Sequence, residues 1–175
     1  MNDTETRADW QPILRGPTLH ATPLREDDFD ALFAAASDPD IWAQHPVDRY
    51  TRPLFTLFFK TGIESGGALV VRDNATGAVI GSSRYVNHDP VQRRVEIGYT
   101  FLTRAHWGNG SNRELKQLMV EHAFRFVDVV EFVVGVTNFR SRAAMEKLGA
   151  KLVRTIREVE PEGDLRESVV YEIAK

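Results

Sequence analysis

Apolar residues recur at steps of three and four positions in four stretches of the chain, which predicts four amphipathic helices. The candidate helices cover residues 25–38, 51–65, 111–126 and 138–149. Pro39 ends the first of them and Gly149 ends the last. In the second helix, Phe55, Phe58 and Phe59 have the spacing of a core-facing stripe. We therefore expect these rings to pack in the interior rather than to line a substrate pocket.

Between the helices the pattern changes to short runs with a period of two, which predicts strands. The strand candidates cover residues 17–24, 67–73, 78–88, 93–102, 131–136, 150–160 and 165–173. Asn74 and Gly77 supply the turn between the second and third candidates, and residues 161–164 (PEGD) supply the turn of a final hairpin. In the fourth candidate, alternation predicts one face with Val95, Ile97, Tyr99 and Phe101 and another with Glu96, Gly98 and Thr100.

The order of these elements is β-α-α-β-β-β-α-β-α-β-β, with no internal repeat or break in composition. Only the strand–turn–helix–strand segment in the middle has the spacing of a parallel crossover. We therefore predict a single α/β domain, residues 17–175, with a mixed, mostly antiparallel sheet of about seven strands and four helices around a central β-α-β unit. Residues 1–16 are polar and are expected to form a loosely held N-terminal arm.

Composition narrows the classes of function. The 22 basic and 25 acidic residues give a net charge of −3, which argues against nucleic acid as the main ligand. The chain has no cysteine, and its five histidines show no metal-binding spacing, so no metal is expected. The N-terminus lacks the apolar core of a signal peptide and no apolar run is long enough to cross a membrane. A cytoplasmic protein without a membrane partner is the expectation.

The segment HWGNGSN, residues 106–112, places two glycines directly before a helix. Such a turn leaves several backbone N–H groups exposed at the positive end of the helix, where an anion can bind. Positive side chains lie nearby at Arg104, His106, Arg113 and Lys116. The spacing is neither that of a P-loop nor G-x-G-x-x-G. Taken alone, the segment is equally consistent with a glycine-rich turn that holds no ligand, and His106 with an ordinary surface histidine.

Three motifs in order resemble the GNAT superfamily of N-acetyltransferases. They are E-I-G-Y at residues 96–99 on a strand, W-G-N-G-S-N at residues 107–112 opening a helix, and N-x-x-S-x-x-x-x-E-K-L-G-A from Asn138 on the next helix. The chain is similar in particular to the branch that includes the ribosomal-protein N-terminal acetyltransferases. The predicted element order from residue 17 onward matches that fold.

The resemblance implies acetyl-coenzyme A (acetyl-CoA) as cosubstrate. The family's pyrophosphate loop maps onto Trp107, Gly108, Asn109, Gly110, Ser111 and Asn112. The last of these departs from the family, which has glycine or alanine there. The strand before the loop, at Phe101, Leu102 and Thr103, would lend backbone groups to the pantetheine arm, and Asn138 would contact the same arm. Lys116 or Arg113 is a candidate, from charge and position alone, for the 3′-phosphate.

The resemblance also implies catalytic roles. Glu96 matches the position of the general base that takes the proton of the amine, and the alternative is a solvated glutamate on an outer face. Many family members place a tyrosine, the acid for the departing thiolate, at the position of Met145, which has no proton to give. Ser141, one turn earlier, is the expected substitute. A backbone N–H near Leu102 would stabilise the oxyanion.

The acceptor would be a primary amine, either a small molecule or a protein N-terminus. Candidate acceptor contacts lie in the segment from residue 36 to 66, at Trp42, His45, Asp48 and Tyr50. His122 falls on an apolar helix face and is expected to pack in the core. The alternative function is a CoA-binding module with little or no activity, favoured by Asn112 and Met145. The sequence leaves open a homodimer through an exposed sheet edge.

Overall fold

The computed structural model describes residues 7–159 and 165–175, whose strands form one eight-stranded sheet in the order β1-β2-β3-β4-β5-β6-β8-β7. The strands are β1 (Leu14–Arg15), β2 (Leu19–Pro23), β3 (Ala68–Asp73), β4 (Val79–Asp89), β5 (Arg94–Leu102), β6 (Val129–Gly135), β7 (Lys151–Val159) and β8 (Leu165–Ala174). The α-helices are α1 (Phe29–Ala36), α2 (Arg52–Ser65), α3 (Ser111–Ala123) and α4 (Phe139–Leu148). Short 3₁₀ turns occupy Glu26–Asp28, Pro39–Trp42 and Arg104–His106. The predicted mixed α/β domain with four helices is confirmed.

The central β-α-β unit is confirmed as β5–α3–β6, and β5 and β6 form the parallel pair of the sheet. The pairings from β1 to β5 and those of β8 with β6 and β7 are antiparallel. Parallel pairing covers only three positions, from Arg94 opposite Val129 to Glu96 opposite Glu131. Beyond that point β5 continues to Leu102 and β6 to Gly135 without pairing with each other, so the two strands diverge. We call this gap the β5–β6 wedge.

Apolar side chains pack on both faces of the sheet. On one face, residues of α3 such as Leu115 and Met119 pack against Val95 and Ile97 of β5. On the other face, the α2 rings predicted to be interior (Phe55, Phe58 and Phe59) pack with Trp42 and Phe101. Strand β3 contributes alternate residues to both clusters, as expected for a strand that is covered on both sides.

The N-terminal segment is more closely held than expected for the part of it that the structure describes. Leu14 and Arg15 form β1 against β2. The Trp10 ring lies 5.0 Å from that of Tyr85 and 5.6 Å from that of Phe126. His122 packs between the same two rings, with Nε2 2.6 Å from the Asp9 carbonyl oxygen, which confirms its place in the core. Residues 1–6, and the predicted hairpin turn at 161–164, lie outside the described residues.

The predicted two-faced alternation of β5 is wrong from Tyr99 onward. Tyr99 has a φ of 53°, and the register with β4 shifts between Ser82 and Arg84. This bulge inserts one residue into the alternation, so Phe101 lies on the α2 face although Ile97 lies on the α3 face. Tyr99 itself is 46% exposed and also turns toward the α2 face, where its ring approaches that of Phe58. Strict period-two reasoning cannot detect such an insertion.

Beside this bulge, a glycine at position 81 allows the backbones of β4 and β5 to approach closely. A Cβ at Gly81 would stand 2.1 Å from the carbonyl oxygen of Phe101, which no side-chain adjustment can relieve. We therefore expect Gly81→Ala to destabilise the fold by about 1–3 kcal/mol, measured as a lower Tm. Gly135→Ala is the matched strand-glycine control, because its new Cβ would meet no atom closer than 4.0 Å. Equal Tm values for the two variants would contradict this reading.

Candidate functional site

The glycine turn before α3 adopts a conformation that only glycine takes readily. Gly108 has a φ of 69° and Gly110 a φ of 91°, both in the left-handed region. A Cβ at either position would meet no protein atom within 4 Å. The glycines are therefore required by backbone conformation, and the space above them is open.

This turn presents backbone N–H groups at the N-terminus of α3. Asn109 Oδ1 accepts a hydrogen bond from the Ser111 N–H at 3.0 Å, and the Gly110 carbonyl accepts from Glu114 at 2.9 Å. In the described part of the chain the N–H groups of Gly108, Asn112 and Arg113 have no acceptor. Exposed donors at the positive end of a helix form an anion site. This arrangement fits a pyrophosphate.

Two polar braces fix the turn. Glu114 accepts from the backbone N–H groups of Thr18 and Leu19 at 2.9 and 3.2 Å, which ties the first turn of α3 to β2. His106 lies 2.9 Å from Thr103 Oγ1 through Nδ1 and 3.2 Å from Asp73 Oδ2 through Nε2. His106 thus joins the end of β5 to the β3–β4 turn. Neither alternative considered for it, a phosphate contact or a free surface histidine, describes this placement.

Three residues at the end of β5, Phe101, Leu102 and Thr103, were predicted to lend backbone groups to the pantetheine arm. One of them directs its backbone groups into the wedge. The Thr103 N–H donates to Ile80 of β4 at 2.8 Å, so it is satisfied within the sheet. N–H groups alternate between the two edges of a strand, so the Leu102 N–H points to the opposite edge, into the wedge. The Leu102 carbonyl on that edge accepts from the Trp107 indole N–H at 2.9 Å. By the same alternation Phe101 faces β4, which leaves Leu102 as the donor.

Glu96 lies at the vertex of the wedge, in the last residue pair between β5 and β6. Its neighbours Val95 and Ile97 point to the α3 face, so Glu96 points to the α2 face. Asn87 Nδ2 donates to Glu96 Oε2 at 2.7 Å, and Oε1 lies 3.1 Å from where a Cβ of Gly98 would be. Burial raises the pKa of Glu96 above its usual value, partly offset by the Asn87 hydrogen bond. The carboxylate is half-buried, unlike the solvated glutamate of the alternative reading.

A contact to the 3′-phosphate requires a side chain at the surface, but Lys116 does not face the surface. It is 3% exposed, donates to Thr100 Oγ1, and lies with Nζ 5.4 Å from the Phe132 ring centre. The ammonium is thus inside the wedge, between β5 and β6. Burial lowers the pKa of Lys116 to about 7, although the negative charge of Glu96 opposes this shift. Arg113, the other candidate, is exposed.

The start of α4 is capped by Asn138, whose Oδ1 accepts from the Ser141 N–H at 3.2 Å. Asn138 is 6% exposed, so it combines the structural role of a cap with a buried position. Ser141 is half-buried in the first turn. Met145 is 4% exposed and packs with the core on the α3 face. Its thioether therefore serves packing and has no proton to donate.

The candidate acceptor residues have different positions. Trp42 is buried, donates to the Ala36 carbonyl at 2.8 Å and packs its ring 5.1 Å from that of Phe101. His45 packs against Trp42, and burial together with nearby arginines lowers its pKa to about 4. Tyr50 packs at the edge of the α2-face core, and Asp48 is exposed.

Sequence reasoning missed the two arginines at the centre of this region, Arg49 and Arg84. Arg84 is 4% exposed, on β4 opposite Gly98, and its guanidinium lies 4.2 Å from the Tyr99 ring centre. Arg49 lies over the Trp42, Phe58 and Tyr99 rings. No sequence motif marks them, because Arg84 reads as one polar position in an alternating strand.

The family model for the acetyltransferase (GNAT) domain matches residues 18–151. The chain belongs to the GNAT acetyltransferase family. Comparison with curated proteins finds no match. Membership makes the chain an N-acetyltransferase and implies acetyl-CoA as its acetyl source.

Solved structures agree with this assignment. A GCN5-related N-acetyltransferase from Brucella melitensis is 22% identical, with a TM-score of 0.84 over 94% of this chain and 79% of that one. An acetyltransferase from Agrobacterium tumefaciens is 25% identical, with a TM-score of 0.73 over 94% and 95%. Mycobacterium smegmatis RimJ, solved in complex with CoA-disulfide, is 17% identical, with a TM-score of 0.75 over 95% and 88%. The first and third likenesses concern the fold alone.

The buried ammonium in this GNAT domain has a measurable consequence for stability. The pKa of Lys116 is lowered from 10.5 to about 7 in the folded state, so between these values the unfolded chain binds more protons. Stability linked to Lys116 is therefore present above pH 10.5 and is lost as pH falls to about 7. Lys116→Met should remove this contribution, which is at most about 1.4 kcal/mol per pH unit.

The measurement is Tm against pH from 7 to 10. Lys60→Met is the control, because Lys60 is exposed on α2 and forms its ion pair with Glu64 across one helical turn. Its profile should follow that of the wild type. An unchanged pH slope in Lys116→Met would show that the ammonium is solvated in solution.

Proposed function

We propose that this GNAT enzyme transfers an acetyl group from acetyl-CoA to a primary amine by direct attack, with Glu96 as general base. One observation carries the proposal. The half-buried Glu96 carboxylate lies at the vertex of the β5–β6 wedge, and the glycine turn with unpaired N–H groups follows the open end of the same wedge. A base and an anion site at two ends of one gap suit a long, phosphorylated thioester.

The cosubstrate contacts follow from this arrangement. We assign the pyrophosphate to the turn Trp107–Asn112, where the N–H groups of Gly108 and Asn112 lack acceptors among the described residues. Asn112 donates through its backbone, so its departure from the family's small residue leaves the site usable. The pantetheine arm would lie along Leu102, with Phe101 and Thr103 beside it. Asn138 would contact that arm through its side-chain nitrogen, because its oxygen caps α4.

The reaction needs three further groups. A raised pKa makes the Glu96 carboxylate a stronger base toward an ammonium, whose proton it takes directly or through water. The amine nitrogen then bonds to the thioester carbon, and the oxyanion receives the Leu102 N–H. As the carbon–sulfur bond breaks, the nitrogen loses its second proton and the departing thiolate gains one. We assign Ser141 to pass this proton on, because its hydroxyl can give a proton to the sulfur and take the one that the nitrogen loses. The Lys116 ammonium adds positive charge inside the wedge.

The acceptor would be a small amine or a protein N-terminus. The likeness to RimJ concerns the fold, and the acceptor segment carries no motif that chooses between these classes. A homodimer through the exposed edge strand β7 stays a prediction. A CoA-binding module with little activity is the second candidate, favoured by the burial of Met145 where an acid would be expected.

Gly110→Val tests the anion site. The side chain would occupy the open space above the turn, so we expect acetyl-CoA affinity to fall at least tenfold, about 1.4 kcal/mol, in a calorimetric titration. Gly66→Val is the matched control, since Gly66 also has a positive φ and open surroundings but lies at the C-terminus of α2. Unchanged affinity in Gly110→Val, with an intact fold, would remove the pyrophosphate assignment.

Glu96→Gln tests the base. The amide keeps the shape of the side chain but cannot accept a proton, so kcat near neutral pH should fall at least a hundredfold, in line with the usual value of general-base catalysis. The affinity for acetyl-CoA should be unchanged. Thiol release with a primary amine acceptor measures turnover, and its rate in the wild type should rise with pH as Glu96 loses its proton.

Glu131→Gln is the matched control for this variant. Glu131 is the register partner of Glu96 on β6, but it is paired with Arg94 and Arg154. We expect its kcat to stay within a few-fold of the wild type, with the pH profile moved slightly to lower pH, because the charge of Glu131 contributes to the raised pKa of Glu96. Full turnover in Glu96→Gln would exclude Glu96 as the base. Absence of turnover in the wild type with intact acetyl-CoA binding would favour the CoA-binding module.

A further inference from the structure

Two guanidinium groups contact the same aromatic rings on the α2 face of the sheet. Arg84 lies 4.8 Å from the Phe58 ring centre and 4.2 Å from that of Tyr99. Arg49 lies 4.8 Å and 5.6 Å from the same two centres. We call these four residues the arginine–aromatic cluster. Contact with the same two rings brings two positive charges into one small volume.

Neither charge is neutralised within the described part of the chain. Arg84 donates to the Phe58 carbonyl at 2.9 Å and to Thr61 Oγ1 at 3.5 Å, both uncharged acceptors. No carboxylate of a described residue lies within 4.0 Å of either guanidinium. By contrast, Arg72, also partly buried, pairs with Asp28 at 2.6 Å. Burying two like charges without a counter-charge is costly, unless a bound group supplies the counter-charge.

Burial is the main reason why the pKa of both groups is lowered, to about 10 for Arg84. Of the smaller contributions, that of Tyr99 opposes both shifts, whereas the charge of Arg49 adds to the shift of Arg84 and the charge of Arg166 adds to that of Arg49. Arg84 is thus more than nine-tenths buried and shares its two rings with a second positive charge, and its hydrogen bonds to described residues go to neutral oxygens.

The cluster lies beside the proposed base and on its face of the sheet. Arg84 is directly opposite Gly98 on β5, and Glu96 is two residues before Gly98. Diagonal neighbours of this kind have side chains about 7–8 Å apart. The bulge at Tyr99 turns its ring to the same side. The proposed pyrophosphate turn opens α3, which packs on the opposite face, so an amine reaching Glu96 from the α2 face passes the cluster.

We propose that Arg49 and Arg84 bind a carboxylate of the acceptor, so that the preferred acceptor is an amine that also carries an acidic group. The inference rests on the proposed acetyl transfer and narrows its substrate class. A guanidinium fork matches a carboxylate, and the two arginines together compensate its charge. The same field repels polyamines and other polycations. Two sources of carboxylate fit, the α-carboxylate of an amino acid and an acidic side chain near the N-terminus of a peptide.

The experiment compares acceptors that differ only in the acidic group. One arm uses free L-amino acids against their C-terminal amides. The other uses C-amidated tripeptides that begin with serine and continue with Asp-Glu or with Asn-Gln. We expect kcat/KM, measured by thiol release, to be at least tenfold higher for the acid in one arm. The arm that shows the preference identifies the source of the carboxylate.

Arg84→Gln and Arg49→Gln should each reduce this preference to less than threefold, because they raise KM for the acid more than KM for its neutral twin. Arg49 is half-buried, and among the described residues its guanidinium contacts aromatic rings, so its variant is expected to fold even if Arg84→Gln does not. Arg52→Gln is the matched control, because Arg52 stacks on Phe29 and Phe33 elsewhere on α2. Its preference should equal that of the wild type.

A second measurement does not depend on turnover. Calorimetric titration with glutarate, with glutaramide as its neutral counterpart, reads carboxylate binding directly. Tighter binding of glutarate that is lost in Arg49→Gln supports the proposal. Equal binding of the two compounds, or equal kcat/KM for acids and amides in both arms, overturns it. Failure of acetyl-CoA to bind would remove the transfer reaction, whereas the glutarate titration still decides the carboxylate site.

Discussion

The parallel pairing of β5 and β6 lasts for three residue pairs, and the position at which it stops determines every part of the site. Beyond Glu96 the inner edge of β5 loses its ladder partner, and unpaired backbone groups in an interior are costly. One substitute comes from a side chain, because the Trp107 indole satisfies the Leu102 carbonyl. Inside the gap, the Lys116 ammonium donates to the side-chain hydroxyl of Thr100. The wedge is thus lined by specific polar contacts.

The electrostatics of the wedge follow from the same opening. Glu96 points to the α2 face of the sheet, and Lys116 reaches the wedge from the α3 face. Each influences the pKa of the other, because the two strands are not paired in the gap between them. Burial raises the pKa of Glu96 and lowers that of Lys116, so both pKa values move toward neutral pH. Displaced pKa values of this kind are typical of catalytic sites. The basic Glu96 and the weakly acidic Lys116 are two results of one desolvated gap.

Much of the fold and part of the site could be predicted from the sequence. Period and turn chemistry predicted the helices and the single parallel crossover, because these signals are local. The glycine turn could be predicted because its motif encodes a backbone conformation, a positive φ at Gly108 and Gly110. The direction in which the Lys116 side chain faces could not be predicted from its charge, since a helical position near a loop can face either solvent or an opening in the sheet. The structure shows that it faces the opening.

The bulge at Tyr99 shows why the rest of the site could not be predicted from the sequence. One inserted residue moves the Tyr99 ring to the α2 face, where it meets Arg84 from β4 and Arg49 from the segment before α2. These three residues are 15 or more positions apart in the chain, and no pair of them forms a motif. Their meeting depends on register, which side-chain period cannot reveal once an alternation is broken. Recognition of an acceptor is assembled from such long-range contacts, whereas a phosphate can be held by one contiguous turn. The sequence of this chain is therefore more informative about its cosubstrate than about its acceptor.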